Sequence, residues 1–503
     1  MQGKGPIIMG QDRQDQPASI ASARKIPPRF WWTRRIALAW LLFVAAVIGS
    51  GLWWRYEADR RVRVELDAIA ARGERLDGSR GPVKSLPPEQ NAAEYYLRAL
   101  EKLKPPQGIW KDDYRGTPMS LRAVKAGWID EWLTANAQAL AECRAARGAA
   151  GVEWRSASDD ILLIEDSCLA IHPIALGNLL YLRAVRQAET GDSGASLQTL
   201  LDLDALTRAL DQDPVAGNGS RLQQSLALVV EEISPHLKPP DAQVARSLIT
   251  ILLDDQPLDS ARHMLRVARG KAYTRMQKTF WGGGIHDLLN PFGTVLRLPP
   301  WAQPRADWLI QPIILCEQAR VLQWYDQSIQ ASRQVTKDRA ERMVHMPDMQ
   351  PGWLGLRERT HILGWVTLTY HLRMPPMEAD PYSTLAVRRL AAGLLALRVF
   401  EMENGQPAQS LDELVPEYLP AVPIDPCDPA GGPIRAELTE AGPRLYSLGI
   451  NGLDDGGTLP LPDPQDAPAD LVLFLRQEDR LQTGWTLDSM LRILPVRVPA
   501  GAE

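Results

Sequence analysis

The sequence predicts a mainly α-helical protein in three parts: an N-terminal transmembrane helix, a multi-helix body, and a small C-terminal α+β module with a short antiparallel sheet. Three observations predict it. Ile36 to Trp54 is a run of 19 residues without a charge. From Val62 to about Met374 apolar residues recur at spacings of three and four, and Pro, Gly and Asp-Pro signals separate the segments. After Gly432 the spacing changes to alternation.

The chain of 503 residues is 45% hydrophobic and 23% charged, enough for a large core. Its 40 prolines imply frequently punctuated helices. The net charge of −5 hides an asymmetry: residues 1–63 carry 11 Lys/Arg against 4 Asp/Glu, which leaves the rest strongly acidic. The basic end suits a membrane surface, and the acidic body argues against a nucleic-acid partner.

The uncharged run spans ~28 Å as a helix, close to the ~30 Å hydrocarbon core. Trp31, Trp32, Trp53 and Trp54 bracket it, as indole rings do at headgroup level, and Arg34, Arg35 and Arg55 close the ends. The expected layout is a cytoplasmic tail over 1–35, an anchor over 36–54, and the bulk of the chain in the periplasm, single-pass in the inner membrane. Basic residues are balanced across the anchor, so the short N-terminal side decides the orientation. A cleaved signal peptide, with Gly49-Ser50-Gly51 as its cut region, is one rival. A twin-arginine signal around Arg34-Arg35 is another. Both also place the body outside the cytoplasm.

Cys143, Cys168, Cys316 and Cys427 lie in no metal-ligand spacing. They are read as buried small apolar side chains, with three disulfide connectivities open outside the cytoplasm.

The body, residues 62–374, reads as successive helices. Residues 90–103 put Ala93, Leu97 and Leu100 on one stripe. Residues 178–210 form a hairpin turned by Thr190 to Gly194, with Leu197, Leu200, Leu201 and Leu206 stacked on its second helix. This turn resembles the hinge of a tetratricopeptide unit, without a repeated period. Further helices are expected at 119–147, 159–170, 218–234, 241–254, 259–279, 306–335 and 354–373. The run Gly282–Gly284 and the prolines at 299 and 300 make 279–301 a long irregular loop, a lid or docking surface on one reading and a plain connector on the other.

The module covers 381–503. A helix over 383–405 is capped by Ser383 or Thr384 and stopped at Asn404-Gly405. A short helix follows at 410–414, with Ser410 and Glu413 as a capping box. Strands are expected at 433–438, 444–449 and 470–476, with Ile434, Ala436 and Leu438 on the inner face.

The order Asn404-Gly405-Gln406-Pro407, Leu419-Pro420, Pro423-Ile424-Asp425-Pro426, Tyr446-Ser447-Leu448-Gly449, Asn451-Gly452 and Gly456-Gly457 resembles the C-terminal half of the major pseudopilin of type II secretion systems. The resemblance covers about 65 residues. The whole chain also resembles bacterial proteins with one anchor, a helical body and this tail, a likeness that implies no activity. In the pseudopilins the loop after the Ser-Leu-Gly run holds calcium. Carried over, that implies a site from Asn451, Asp454, Asp455 and Asp470 with the Leu448 carbonyl, since calcium takes six to eight oxygens. Asn451 stands where an acid would bind more strongly, and the plain alternative is an Asn-Gly turn with solvated aspartates. The chain departs from a pilin: 36–54 contains no acid, and about 330 residues separate the anchor from the pseudopilin-like helix.

No HExxH, P-loop, GxSxG or dinucleotide fingerprint is present, and the seven histidines are scattered. No catalytic residue and no cofactor beyond calcium is expected. The function expected is a non-catalytic, membrane-anchored envelope scaffold that binds protein partners, tied to a secretion or pilus-like system. The alternative is an extracytoplasmic hydrolase with a site near 279–301.

Overall fold

A computed structural model describes residues 31–74, 76, 86–104, 126–154, 172–212, 219–282, 303–334, 336–337, 381–439, 442–449, 452–457 and 471–474. Expected helices at 159–170 and 354–373, and most of the loop at 279–301, lie outside them.

Helix α1 runs unbroken over Trp31–Ala71, longer than the expected anchor at both ends. Its apolar stretch has no buried residue, and the helix is long and apolar enough to cross a membrane. Beyond Glu57 it changes character. Ala58, Val62 and Ile69 are buried, and the first two pack against Leu315 and Ala319. Just past its end, Glu74 accepts from Arg269 at 2.7 Å and Arg266 at 3.2 Å, and Arg72 reaches Asp326 at 2.5 Å. Glu74 is partly desolvated, but these arginines outweigh that and hold its carboxyl below the usual range.

The body then follows as α2 (Ala92–Lys102), α3 (Ala126–Ala135), α4 (Ala137–Ala146), α5 (His172–Glu189), α6 (Ser193–Leu210), α7 (Gly219–Ile233), α8 (Ala242–Leu252), α9 (Gln256–Gly282) and α10 (Gln303–Ala331). Among the described residues of 62–374 there is no strand, only one isolated bridge between Asn91 and Gly151.

Two local expectations change and a third is met. The single helix expected over 119–147 is divided at Asn136. Its backbone keeps the i→i−4 bonds to Trp132 and Leu140, while its buried side chain accepts from the Lys104 N–H at 2.7 Å and donates to the Lys104 carbonyl at 3.1 Å. In α2 Ala93 is buried and Leu100 packs against the core as expected, together with Ala92, Tyr96 and Ala99, while Leu97 is exposed. The tyrosine ring has more apolar area to bury than the leucine and sets the rotation of the helix. The α5–α6 hairpin forms as expected, with Asp192 capping α6 through the Ala195 N–H at 3.0 Å. Leu197, Leu200 and Leu206 are fully buried and Leu201 partly so.

Helix α11 spans Pro381–Asn404 and is buried on nearly all faces. That is the signature of a central helix, not of one lying on a surface. It packs against α7 and α8 on one side and the sheet on the other. Ser383 and Thr384 therefore sit inside its first turn rather than capping it, and Thr384 accepts from Gln224 at 3.1 Å. Gly405, at φ +70°, ends the helix as expected. The boundary expected near 375–380 lies outside the described residues, and elements on its two sides share one core.

Leu411–Leu414 is one short 3-10 turn. Its capping differs from the expected box: Ser410 makes no capping bond, and Glu413 reaches back to the Gln409 N–H at 3.1 Å. The sheet is antiparallel in the order β1 (Arg435–Thr439), β2 (Gly442–Ser447), β3 (Leu471–Phe474). Leu445 pairs with Ala436 on one side and Leu473 on the other. Leu445 and Leu473 enter the core with Ile434, Leu438 is partly buried, and Ala436 is too short to reach it and stays exposed. A Cβ at Gly393 would lie 2.9 Å from the Leu445 side chain, so this glycine lets α11 approach the sheet.

Candidate functional site

Two polar constellations are assembled from distant parts of the sequence. The first surrounds the loop at 449–457. Asp425 is wholly buried. One of its oxygens accepts from the Cys427 N–H at 2.9 Å and the Ser447 hydroxyl at 2.7 Å, and the other accepts from the Leu448 N–H at 2.9 Å. The Asp425-Pro426 and Asp428-Pro429 pairs make this arm turn, and the Asp425 bond to Cys427 is an Asx turn. Arg435 then stands among three acids. Its guanidinium is 3.8 Å from Asp425, 3.2 Å from Asp428 and 3.0 Å from Asp454.

Of the expected calcium ligands, Asp454 is here, with one oxygen on Arg435 and the other accepting the Gly456 N–H at 3.0 Å. Asp455 follows it, partly exposed. Asn451 and Asp470 lie outside the described residues. Among the described residues no three His, Cys, Asp or Glu side chains converge in a metal-holding arrangement. A guanidinium supplies the positive charge between Asp428 and Asp454. Sequence reading missed Arg435 and gave Asp425 no role. Two Asp-Pro turns closely followed by a lone arginine on a strand were the available signal.

The second constellation joins the body to α11. Arg388 has no exposure. It donates to the Ile251 carbonyl at 2.5 Å and Asp254 at 3.0 Å, and lies 3.8 Å from Asp204. Arg208 bridges the same two acids, at 2.7 Å from Asp204 and 2.5 Å from Asp254. Nearby, Asp211 accepts from Gln223 at 2.6 Å and Gln256 at 2.8 Å. Burial raises Asp211 from 3.8 to about 6, against the hydrogen bonds and the Arg388 charge that favour its ionised form. The carbonyl oxygens of Gln223 and Gln256 have no hydrogen-bond partner.

A carboxyl raised on folding stabilises the fold fully below its unfolded value, and this contribution is lost as pH rises through its folded value. For Asp211 that window is roughly pH 4–6. Asp211→Asn has a permanent N–H₂ donor for one orphan glutamine carbonyl, so the variant should be more stable than the parent at pH 7. Urea melts should show this gain, about 2 kcal/mol, shrinking toward pH 4. A variant no more stable at pH 7 contradicts this assignment.

Of the histidines, 286, 345, 361 and 371 lie outside the described residues. Cys143 and Cys427 are buried, and burial pushes the Cys143 thiol up to about 12, which fits an inert apolar side chain. Cys168 lies outside the described residues. No family model, curated protein or solved structure matches the chain. Both constellations bind parts of the chain to one another. The carboxylates in them accept from arginines, backbone N–H groups, glutamine amides and the Ser447 hydroxyl, an arrangement suited to holding structure.

Proposed function

We propose that the chain is a non-catalytic, single-pass envelope protein whose helical body, in the periplasm, serves as a scaffold for protein partners of a secretion or pilus-like system. The observation that carries the reading is α1: an apolar, unburied stretch that continues in the same helix into residues built into the body. The link to secretion rests on the tail. Ser447 and Leu448, from the Tyr-Ser-Leu-Gly run shared with pseudopilins, are the residues that bind Asp425. The loop has a structural job in this reading. Calcium, to bind there, has to take Asp454 from Arg435. The absence of any acid in 36–54 argues against assembly in the manner of a pilin. The rival hydrolase reading falls on 279–301, almost wholly beyond the described residues.

The test is a C-terminal fusion to a reporter active only in the periplasm, with carbonate extraction of the membranes. Reporter activity and full retention in the membrane pellet are expected. An inactive reporter defeats the orientation, and release into the supernatant defeats the anchor.

A further inference from the structure

Alternation along the strands sorts the sheet into two faces. Leu445 and Leu473 lie on the one that enters the core. The opposite face carries the cross-strand pairs Arg435–Tyr446 and Glu437–Arg444, side by side on β1 and β2. Three contacts tie the loop at 452–457 to this second face. The Arg435 guanidinium meets Asp454 through Nε at 3.0 Å. Arg444, paired with Glu437 across the strands, donates to the Gly456 carbonyl at 3.3 Å. Gly457, at φ +64°, brings its backbone against the Tyr446 ring, where a Cβ would lie 2.9 Å from it. At the other end of the loop Gly452 lies against the proline-rich arm, where a Cβ would stand 3.1 Å from the Pro429 ring.

The carboxylates around the Arg435 guanidinium are engaged at both oxygens. Asp454 gives one oxygen to Arg435 and the other to the Gly456 N–H at 3.0 Å. Asp428 gives one to Arg435 at 3.2 Å and the other to the Ala430 N–H at 2.7 Å. Both oxygens of Asp425 accept from buried donors of the arm and of the chain at the end of β2. Calcium needs six to eight oxygens and draws them from carboxylates and main-chain carbonyls together. Both kinds are present here, in Asp428, Asp454 and the Gly456 carbonyl, and guanidinium groups hold both kinds. An ion entering beside Asp454 also meets the positive charge of Arg435. The described residues therefore do not fit the ion that the pseudopilin resemblance implies.

We infer that two arginines clasp this loop in the role of a metal, Arg435 on its carboxylate and Arg444 on its carbonyl, so that the tail closes without any divalent cation. Arg435 has the larger share. Its planar fork reaches Asp428 and Asp454 at once and lies 3.8 Å from Asp425, so it joins the loop to the arm as well as to β1. Arg444 joins the loop to β2. The clasp is independent of the scaffold reading and stands or falls without it.

The test uses the full chain in a neutral detergent. Amide hydrogen exchange across 452–457 is read in millimolar calcium and in chelator, at equal ionic strength. The parent should exchange at one rate in both. Slower exchange in calcium overturns the inference and restores the ligand set of Asn451, Asp454, Asp455 and Asp470. Arg435→Gln should speed exchange of the loop about fivefold or more in either solution, as the loss of a partly exposed, charge-assisted hydrogen bond implies. The acceleration should be confined to the loop and the arm, with α5 and α6 at the parent's rate. Unchanged exchange in the loop, or equal acceleration throughout the chain, overturns the inference as well. If Arg435→Gln does not fold, Arg444→Gln carries the same test. It should speed exchange of the loop about twofold or more, and a loop left at the parent's rate overturns the inference.

Discussion

Arg388→Ala should destabilise the full chain by about 3–5 kcal/mol, the range for breaking a buried ion pair by removing one partner. The size follows from what the side chain does. It has no exposure, and its guanidinium joins three segments: the Ile251 carbonyl at the end of α8, Asp254 just after it, and Asp204 on α6. Alanine leaves a void the size of a long side chain, an Ile251 carbonyl with only backbone N–H partners, and a weakened set of charges. Arg208 still bridges Asp204 and Asp254, so those acids are not stranded altogether. Arg388→Met therefore separates the contributions. It fills most of the volume, removes the charge and the donors, and should cost clearly less than alanine. Urea melts of the full chain in neutral detergent measure both. A cost below about 1 kcal/mol for alanine would mean that this cluster does not hold α11 in the body.

The repeating parts of this fold were legible because periodicity reports local geometry. A spacing of three and four named nearly every helix, and the polarity switch after Gly432 named the strands to within a few residues. What was not legible depends on partners far away in sequence. The buried Asn136 side chain between α3 and α4 binds the Lys104 backbone, and nothing within 119–147 carries that information. Ala93 and Leu100 lie in the core as expected, but Leu97 is exposed and Tyr96, which the stripe did not include, is buried. Helix α11 has apolar residues on every side, so its sequence signals burial without saying against what. Its neighbours turned out to be the body helices α7, α8 and α9 as well as the sheet. The candidate sites show the same limit. Aspartates near glycines suggest a cation, and the chain itself supplies one in Arg435 from a neighbouring strand, for Asp454 at least.

Asp425→Ala should cost about 3–5 kcal/mol, and the reason is the number of donors that one carboxylate serves. Its oxygens accept from the Cys427 N–H, the Ser447 hydroxyl and the Leu448 N–H, all buried, with Arg435 at 3.8 Å. Removing the acceptor leaves these donors without partners where water does not reach, because Asp425 itself has no exposure. The backbone around it does not compensate. The Asp425 N–H is committed to the Gly432 carbonyl at 2.8 Å, and the Ile434 N–H to the Pro423 carbonyl at 2.9 Å. Together these bonds fasten the proline-rich arm to the end of β2. Losing the carboxylate should therefore loosen the arm and the start of the 449–457 loop together, while α5 and α6, elsewhere in the core, keep their protection. Asp425→Asn keeps the shape and one acceptor but introduces a donor pair facing other donors, so it should fall between the parent and alanine. Urea melts give the energies, and amide hydrogen exchange gives the location. Faster exchange at Cys427 and Leu448, with exchange in α5 and α6 unchanged, is the expected pattern. Uniform acceleration through the body, or a cost below about 1 kcal/mol, would show that Asp425 is not the fastening of the tail.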